Sequence, residues 1–443
     1  MLRGTVIAAV LLAANAPAAE PVRAAAEKAL PLLLKAADGH MAERTCFACH
    51  NQALPILAYT LARDRGLSVP DWDLSEQLDF IAAFLGGNRD QYRKGNGQGG
   101  QADTAGYALL TLELGGYKPD ETTEAVVEYL IRRDAKLDHW RSSGNRPPSE
   151  VSDFSPTYLA VRALKKWANP DQGERAGKRI AAAREWLLKT PAKDTEDRVF
   201  RLLALQAVGA DIQSTADELI KTQRTDGGWA QTNTMESDAY ATGSALFALH
   251  ETGRGSNPSY GRGVDFLLKT QLPDGSWHVR THSKPVQGYF ESGFPHEKDQ
   301  FISAAASGWA AAALVLALPP TPHHQVIVTG KAAGGYAAFP DICRTTSGDL
   351  LCVFYSGSGH VTKASQDWPN GGRIMAVRSS DDGKTWSEPA VLFDTPFDDR
   401  DPSVACLRDG TLLCNWFVTP GPRGPHGVYL ARSTDDGKTW SAP

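Results

Sequence analysis

The sequence predicts an α domain followed by a β domain, the first a closed ring of six helical hairpins. Three observations carry this reading. From residue 22 to 318 a helix pair recurs at roughly 40 to 60 residues. Helical periodicity then stops at Leu318-Pro319-Pro320-Thr321-Pro322, a proline-rich linker over 319–324. Beyond it, short runs rich in β-branched and aromatic residues alternate with Gly turns over 325–443.

Size agrees with two domains, since 443 residues at 42% hydrophobic exceed one ordinary core and are too apolar for disorder. The 46 basic and 51 acidic residues leave a net charge of -5, with no basic excess to attract nucleic acid or an anionic membrane. Residues 1–18 read as a signal peptide: Arg3, the apolar stretch Val6 to Ala14, then Ala16-Pro17-Ala18. The expected location is therefore periplasmic or extracellular. No transmembrane segment is expected, because the most apolar later stretch, Ala304 to Leu318, holds Ser307, Gly308 and Trp309 and reads as a buried core helix.

Within the ring, the second helix of each pair begins near Cys46, Asp103, Asp153, Asp197, Asp238 and Asp299 and is small, apolar and Ala-rich, which suits an inner position. The first helices are amphipathic and suit an outer one. Arg175 to Lys189 places Ile180, Ala183, Trp186 and Leu187 on one side, with Arg179, Arg184 and Glu185 expected elsewhere. Leu114-Gly115-Gly116 and Glu251-Thr252-Gly253 supply left-handed helix ends.

The first inner helix is opened by Cys46-Phe47-Ala48-Cys49-His50. Two thiols at this spacing with a histidine directly after suit covalent attachment of haem c, with His50 as axial iron ligand, in an exported chain. The same cysteines also satisfy a Cys46–Cys49 disulfide beside a structural histidine. A second axial ligand would come from Met235, three residues before Asp238, or from His296; without one the iron stays open to a small ligand.

At the other inner-helix starts, Asp103-Thr104 and Asp153-Phe154-Ser155-Pro156 read as N-caps. Their shared position around one opening also makes Asp103, Asp153 and Asp238 the candidate catalytic carboxylates. His296 and Asp299, from the polar cluster His296-Glu297-Lys298-Asp299-Gln300, are candidate ligand contacts.

Gln223-Arg224-Thr225-Asp226-Gly227-Gly228-Trp229 and Gln271-Leu272-Pro273-Asp274-Gly275-Ser276-Trp277 share Gln-x-x-Asp-Gly-x-Trp at a spacing of 48. Asp-Gly makes a tight turn, Gln reaches neighbouring backbone, and Trp packs under the next repeat. The motif resembles that of squalene-hopene cyclases and the wider terpenoid cyclase and protein prenyltransferase toroids, over about residues 22–318. The resemblance implies an (α/α)6 toroid with an apolar central cavity, open where the inner helices start. Its chemistry carries over poorly. Protonating cyclases of that family use Asp-x-Asp-Asp, whereas Ser237-Asp238-Ala239-Tyr240 offers one carboxylate beside Glu236. The family's zinc set needs a cysteine, and the only toroid cysteines are Cys46 and Cys49; the magnesium-binding Asp-Asp-x-x-Asp is missing as well.

In the β domain, Leu350 to Tyr355 and Thr411 to Trp416 are expected strands following Ser347-Gly348 and Asp409-Gly410, two-residue hairpin signals. Cys343 and Cys352 face each other across the first turn as a candidate disulfide. Ser-x-Asp-Asp-Gly-Lys-Thr-Trp occurs at Ser379 to Trp386 and Ser433 to Trp440, 54 residues apart. This resembles the Asp-box of sialidase and BNR-repeat β-propellers, and implies that the box closes a turn between outer strands of a blade. A propeller takes about four to eight blades. These 119 residues hold two to three, so the expectation is an incomplete, sialidase-like propeller in a C-terminally incomplete chain. Sialidases bind the sugar carboxylate through three arginines, the first in Arg-Ile-Pro. Here Ala338-Phe339-Pro340-Asp341-Ile342 lacks it, leaving Arg344, Arg400 and Asp401 as a different candidate glycan site.

Three functions follow: a redox or ligand-binding haem toroid joined to a glycan-binding or glycoside-cleaving domain, a terpenoid cyclase with an unfamiliar acid, or a non-enzymatic scaffold. The expected ligand is apolar or a glycan, and the oligomeric state stays open.

Overall fold

Alternating amphipathic and Ala-rich stretches fold, in the computed structural model, into six antiparallel helix pairs. The structure describes residues 19–284, 288–319, 326–329, 334–419 and 427–443. The expected signal peptide and nearly all of the expected linker therefore lie outside the described residues. The chain divides into a helical unit to Thr321 and a β unit from Pro322.

The outer helices are α1 (Ala19–Glu43), α3 (Leu74–Gly86), α6 (Glu121–Arg132), α8 (Pro170–Lys189), α10 (Gln213–Lys221) and α12 (Pro258–Thr270). The inner ones are α2 (Leu54–Asp64), α5 (Gln101–Leu114), α7 (Phe154–Trp167), α9 (Thr195–Ala207), α11 (Ala239–Glu251) and α13 (Gln300–Ala317); a short α4 (Arg89–Arg93) follows α3. Each inner helix packs on the next, and α13 packs on α2, so the ring closes.

Small residues make that closure possible. A Cβ added to Gly106 of α5 would lie 2.5 Å from Leu159 Cβ of α7, and one on Gly308 of α13 would lie 2.7 Å from Leu54 Cβ of α2. The inner helices are close enough that only glycine fits at these crossings. Helix α13 is also long and apolar enough to cross a membrane by composition, yet it is 83% buried among its neighbours, as a core helix is.

The Gln-x-x-Asp-Gly-x-Trp turns lock consecutive outer helices together. Gln223 Nε2 donates to Gly227 O within its turn and to Ser259 O at the start of α12, at 2.8 and 2.7 Å. Gln271 Nε2 donates to Gly275 O and to Ala25 O of α1, which joins the last outer helix to the first. Trp229 and Trp277 are buried, and each indole N–H donates to the carbonyl ten residues earlier, at 2.9 Å. Trp140 does the same with Leu130 O at 2.8 Å, a third copy whose sequence kept only the tryptophan. Arg179 stacks on it, with the guanidinium 4.2 Å from the ring centroid. This corrects the expectation for α8: Arg179 lies on its buried face and donates to the carbonyls of Arg133 and Leu137. A guanidinium satisfied by carbonyls and an aromatic face can occupy a core position that polarity alone assigns to solvent.

The β unit contains an antiparallel four-stranded sheet, β1 (Tyr336–Arg344), β2 (Leu350–Gly357), β3 (Arg373–Ser379) and β4 (Ala390–Phe393). A three-stranded sheet follows, β5 (Asp398–Cys406), β6 (Leu412–Thr419) and β7 (Gly427–Ser433), and the described strands form no closed barrel. Leu351, Val353, Ile374, Val404, Cys414 and Trp416 fill the core between the sheets. Both Asp-boxes follow the third strand of a sheet. In each, the aspartate accepts from a threonine N–H and hydroxyl, as Asp381 does from Thr385 and Asp435 from Thr439.

Two expectations fail here. The β1–β2 and β5–β6 loops are three-residue turns, not two-residue ones: Thr345 N donates to Asp349 O and Leu407 N to Thr411 O, with Gly348 and Gly410 at φ 93° and 88°. All the described cysteines are free thiols, so neither the Cys46–Cys49 nor the Cys343–Cys352 disulfide forms. Cys343 pairs with Leu351 in the ladder and packs into the core between the sheets, while Cys352 belongs to the opposite face with Phe354 and Met375. Side chains alternate along a strand, and this register sends the two sulfurs apart.

Candidate functional site

At the inner-helix starts of the helical unit lies a cavity of about 500 Å³. Its apolar wall is Leu54, Phe301, Ile302 and Ala305, its polar wall includes Tyr107 and Tyr240, and its charged groups are Arg146, Glu150, Lys284 and Lys298. Cys49 and His50 line it too.

The Cys-x-x-Cys-His segment enters α2 through one π-helical turn, Cys49–Ala53. Such a turn places side chains off the regular α-helical spacing, and it is anchored by buried amides. Gln52 Oε1 accepts from Ala48 N at 3.0 Å and its Nε2 donates to Gln77, which donates in turn to Asp38. His40 Nε2 holds the Cys46 carbonyl at 2.6 Å. The His50 ring meets Phe301 edge-on at 5.2 Å and His40 at 6.4 Å. Burial, then His40 and Arg146, brings the His50 imidazole down to about 3, so it is neutral at physiological pH. Its Nε2 is buried and has no hydrogen-bond partner among the described residues; neither amide atom of the buried Asn51 next to it has one. Burial also pushes the Cys49 thiol up to about 12, which makes it a thiol and not a thiolate.

These residues fit haem in part. An axial iron ligand requires a neutral imidazole with an unpaired nitrogen, and His50 offers one from a residue of the cavity wall, with Cys49 on the same wall. Cys46 is half-buried and is not among the cavity residues. Met235 and His296 do not line the cavity either. His296 Nε2 instead meets Ser276 Oγ at 3.2 Å and its ring stacks near His278.

The helix-start carboxylates tie loops together. Asp238 alone of the three catalytic candidates caps its helix, accepting from Ala241 N at 2.9 Å, and its other oxygen takes Gln231 Nε2 at 3.0 Å. Burial raises it to about 6. Asp153 makes no cap bond; it accepts from Ser142 N at 2.9 Å and lies 3.5 Å from His139 Nε2. Asp103 makes none either, since Gly100 is the N-cap and Asp103 sits inside the first turn of α5. The capping expectation fails for both because each faces the 139–142 segment across the helix start, where one of its oxygens finds another donor. Asp299 likewise binds His278 Nε2 and Thr281 N, both at 2.9 Å.

Asp103 is the most perturbed of these. It is buried, Ser142 Oγ donates to one oxygen at 3.1 Å, and the other has no partner among the described residues. Burial holds it well above the usual carboxylate range against that hydrogen bond, with Glu150 and Asp153 adding to the rise. Glu150 is itself paired with Arg146, whose Nε donates at 2.7 Å. A second buried acid went unnoticed in the sequence: Glu196 of α9 accepts from Tyr240 OH and Ser155 Oγ, both at 3.3 Å, and burial with Asp194 raises it to about 8. Arg146, Glu150, Lys284 and Lys298 lie outside the regular inner helices, and no repeat pattern marks them; Tyr107 and Tyr240 stand near inner-helix starts and were findable from the repeat.

In the β unit, Arg344 separates from the other two glycan-site candidates. It pairs with Asp382 at 2.8 Å at the turn end of β1. Arg400 lies toward the opposite end, 5.7 Å from the rings of Tyr355 and Phe417 and 3.5 Å from His360 Nε2. Asp401 stands beside it at a bulge with φ 49°.

Residues 197–297 match the squalene-hopene cyclase C-terminal domain family. That span carries both Gln-x-x-Asp-Gly-x-Trp turns, and with the closed ring of hairpins it makes the helical unit squalene-cyclase-like. No curated protein matches the chain. Among solved structures, the type II terpene cyclase MstE from Scytonema is 16% identical over 69% of this chain and 100% of its own, at a TM-score of 0.43. The ent-copalyl diphosphate synthase from Streptomyces platensis is 22% identical over 58% and 50%, at 0.39. A protein of unknown function from Dyadobacter fermentans is 29% identical over 24% of this chain, at 0.20, and this chain spans 35% of its length.

Proposed function

We propose that the helical unit is an exported haem c module for electron transfer or small-ligand binding, joined to a sialidase-like β unit that binds or cleaves glycan. The observation that carries the haem reading is His50, a residue of the cavity wall that burial keeps neutral and whose buried Nε2 has no hydrogen-bond partner among the described residues. His50 would supply the axial nitrogen, and Cys49 with Cys46 the thioether sulfurs. Haem, when bound, supplies an iron centre that exchanges one electron or takes a small ligand. The chain's own part is to hold His50 neutral by burial, fix the Cys46 backbone through His40, and exclude water with Phe301, Leu54 and Ile302. The test is periplasmic expression with the haem-maturation system, followed by acid-acetone extraction and a pyridine haemochrome spectrum. Haem that stays with the wild-type chain and is lost in Cys46→Ser/Cys49→Ser is the expected result; a haem-free wild-type chain refutes the reading.

A second reading, a cyclase-type isomerase, is favoured by Asp103. A carboxyl that burial pushes well above the usual carboxylate range, with one oxygen unpartnered among the described residues, is the kind of group that protonating an alkene requires. Incubation with squalene and product analysis decides it: products from wild type that vanish in Asp103→Asn support it, and an inert wild type ends it.

A further inference from the structure

The charges around the cavity do not balance. Of its three cations, Arg146 is paired with Glu150. Lys284 and Lys298 have no ion-pair partner among the described residues, though both line the cavity. Two of the nearby acids are hydrogen-bonded to other groups: Asp299, whose pKa Lys298 also helps to lower, by His278 and Thr281, and Glu291 by Tyr289 OH and Gln300 Nε2. Two lysines without an ion pair among the described residues therefore share the cavity with a wall of Leu54, Phe301, Ile302 and Ala305.

We propose that this cavity takes an amphipathic dianion, with an apolar body against the Leu54–Phe301–Ile302 wall and two carboxylates at Lys284 and Lys298. The physical reason is complementarity. An apolar body gains by leaving water, and each carboxylate would find an ammonium group that is not already held in an ion pair. A neutral isoprenoid would bury the same apolar surface but leave both lysines unanswered. A cation would meet a net charge of its own sign. Two sources share this chemistry, haem with its two propionates and a free apolar dicarboxylic acid.

The test uses the full chain carrying Cys46→Ser and Cys49→Ser, so that thioether attachment plays no part and the outcome is independent of it. The protein is titrated with haemin and haemin dimethyl ester, followed in the Soret band, and with hexadecanedioic acid and its dimethyl ester, followed by tryptophan fluorescence. The diacid of at least one pair should bind about tenfold tighter than its ester at low salt, since two exposed ion pairs are worth about that much. The preference should shrink at high salt and disappear in Lys284→Gln/Lys298→Gln, whose far-UV circular dichroism should match the parent. A preference confined to haemin identifies the ligand as haem, and one confined to the aliphatic pair identifies a free dicarboxylate. Equal affinity for acid and ester in both pairs, or a preference that survives the double lysine substitution, overturns the proposal.

Discussion

Glu196 turns the stability of the helical unit into a function of pH. The side chain is 3% exposed, and its partners are two hydroxyls, Ser155 and Tyr240. Burial, then Asp194, places its carboxyl at about 8, against an ordinary value of 4.5 in the unfolded chain. The folded state thus holds a proton that the unfolded state releases between these limits. Stability is greatest below pH 4.5, falls as pH rises through the window, and is fully reduced above 8. At 1.36 kcal/mol for each pH unit the loss approaches about 5 kcal/mol at pH 9, and is about 3 kcal/mol at pH 7. Glu196→Gln keeps the shape, accepts from the same hydroxyls and carries no charge. Urea denaturation followed at 222 nm, for wild type and Glu196→Gln at pH 5 and pH 9, measures the difference. The variant should gain several kcal/mol over wild type between the two pH values. Parallel pH dependence in the two proteins would refute the argument that burial keeps this acid protonated.

Three further outcomes follow from the packing. Trp277→Ala removes a fully buried indole and its bond to Leu267 O, and should cost about 3–5 kcal/mol, while Gln271→Ala should cost about 1 kcal/mol by removing the hydrogen bond that ties the end of α12 to Ala25 O of α1; both are read from urea midpoints. Arg179→Met should destabilise α8 by about 2 kcal/mol or more, because the carbonyls of Arg133 and Leu137 lose their donor and Trp140 its cation, and Arg179→Lys should recover only part of this in thermal melts. In the first Asp-box, hydrogen bonds from Thr385 and Ser379 hold Asp381 at about 2, below its ordinary value. The contribution is present above pH 3.8 and disappears as pH falls toward 2, so hydrogen exchange at the Thr385 amide should accelerate over that acid range in wild type and be pH-insensitive there, after correction for intrinsic rates, in Asp381→Asn.

Wherever a residue's role follows from its neighbours in the chain, the sequence was enough. The alternation of Ala-rich and amphipathic helices, the glycines after α5 and α11, and both tryptophan turns are such cases, because helix period, left-handed glycine and Asp-Gly turns act over a few residues. So are the Asp-box hairpins and the place of Cys46-Phe47-Ala48-Cys49-His50 at the start of an inner helix. The free thiols Cys343 and Cys352 show the limit: proximity across a turn does not fix which face of a sheet each side chain takes, and ladder register does. Arg179 is a second case, since only an approaching Trp140 ring makes a buried guanidinium affordable. The cavity at the inner-helix starts is a third case. His50 on its wall, and Asp103 and Glu196 in the first turns of α5 and α9, owe their shifted acidities to burial, and burial is a property of the closed ring. Composition and spacing could name His50 as a ligand; only the tertiary structure could desolvate it and set it beside Lys284 and Lys298, which lie more than two hundred residues away.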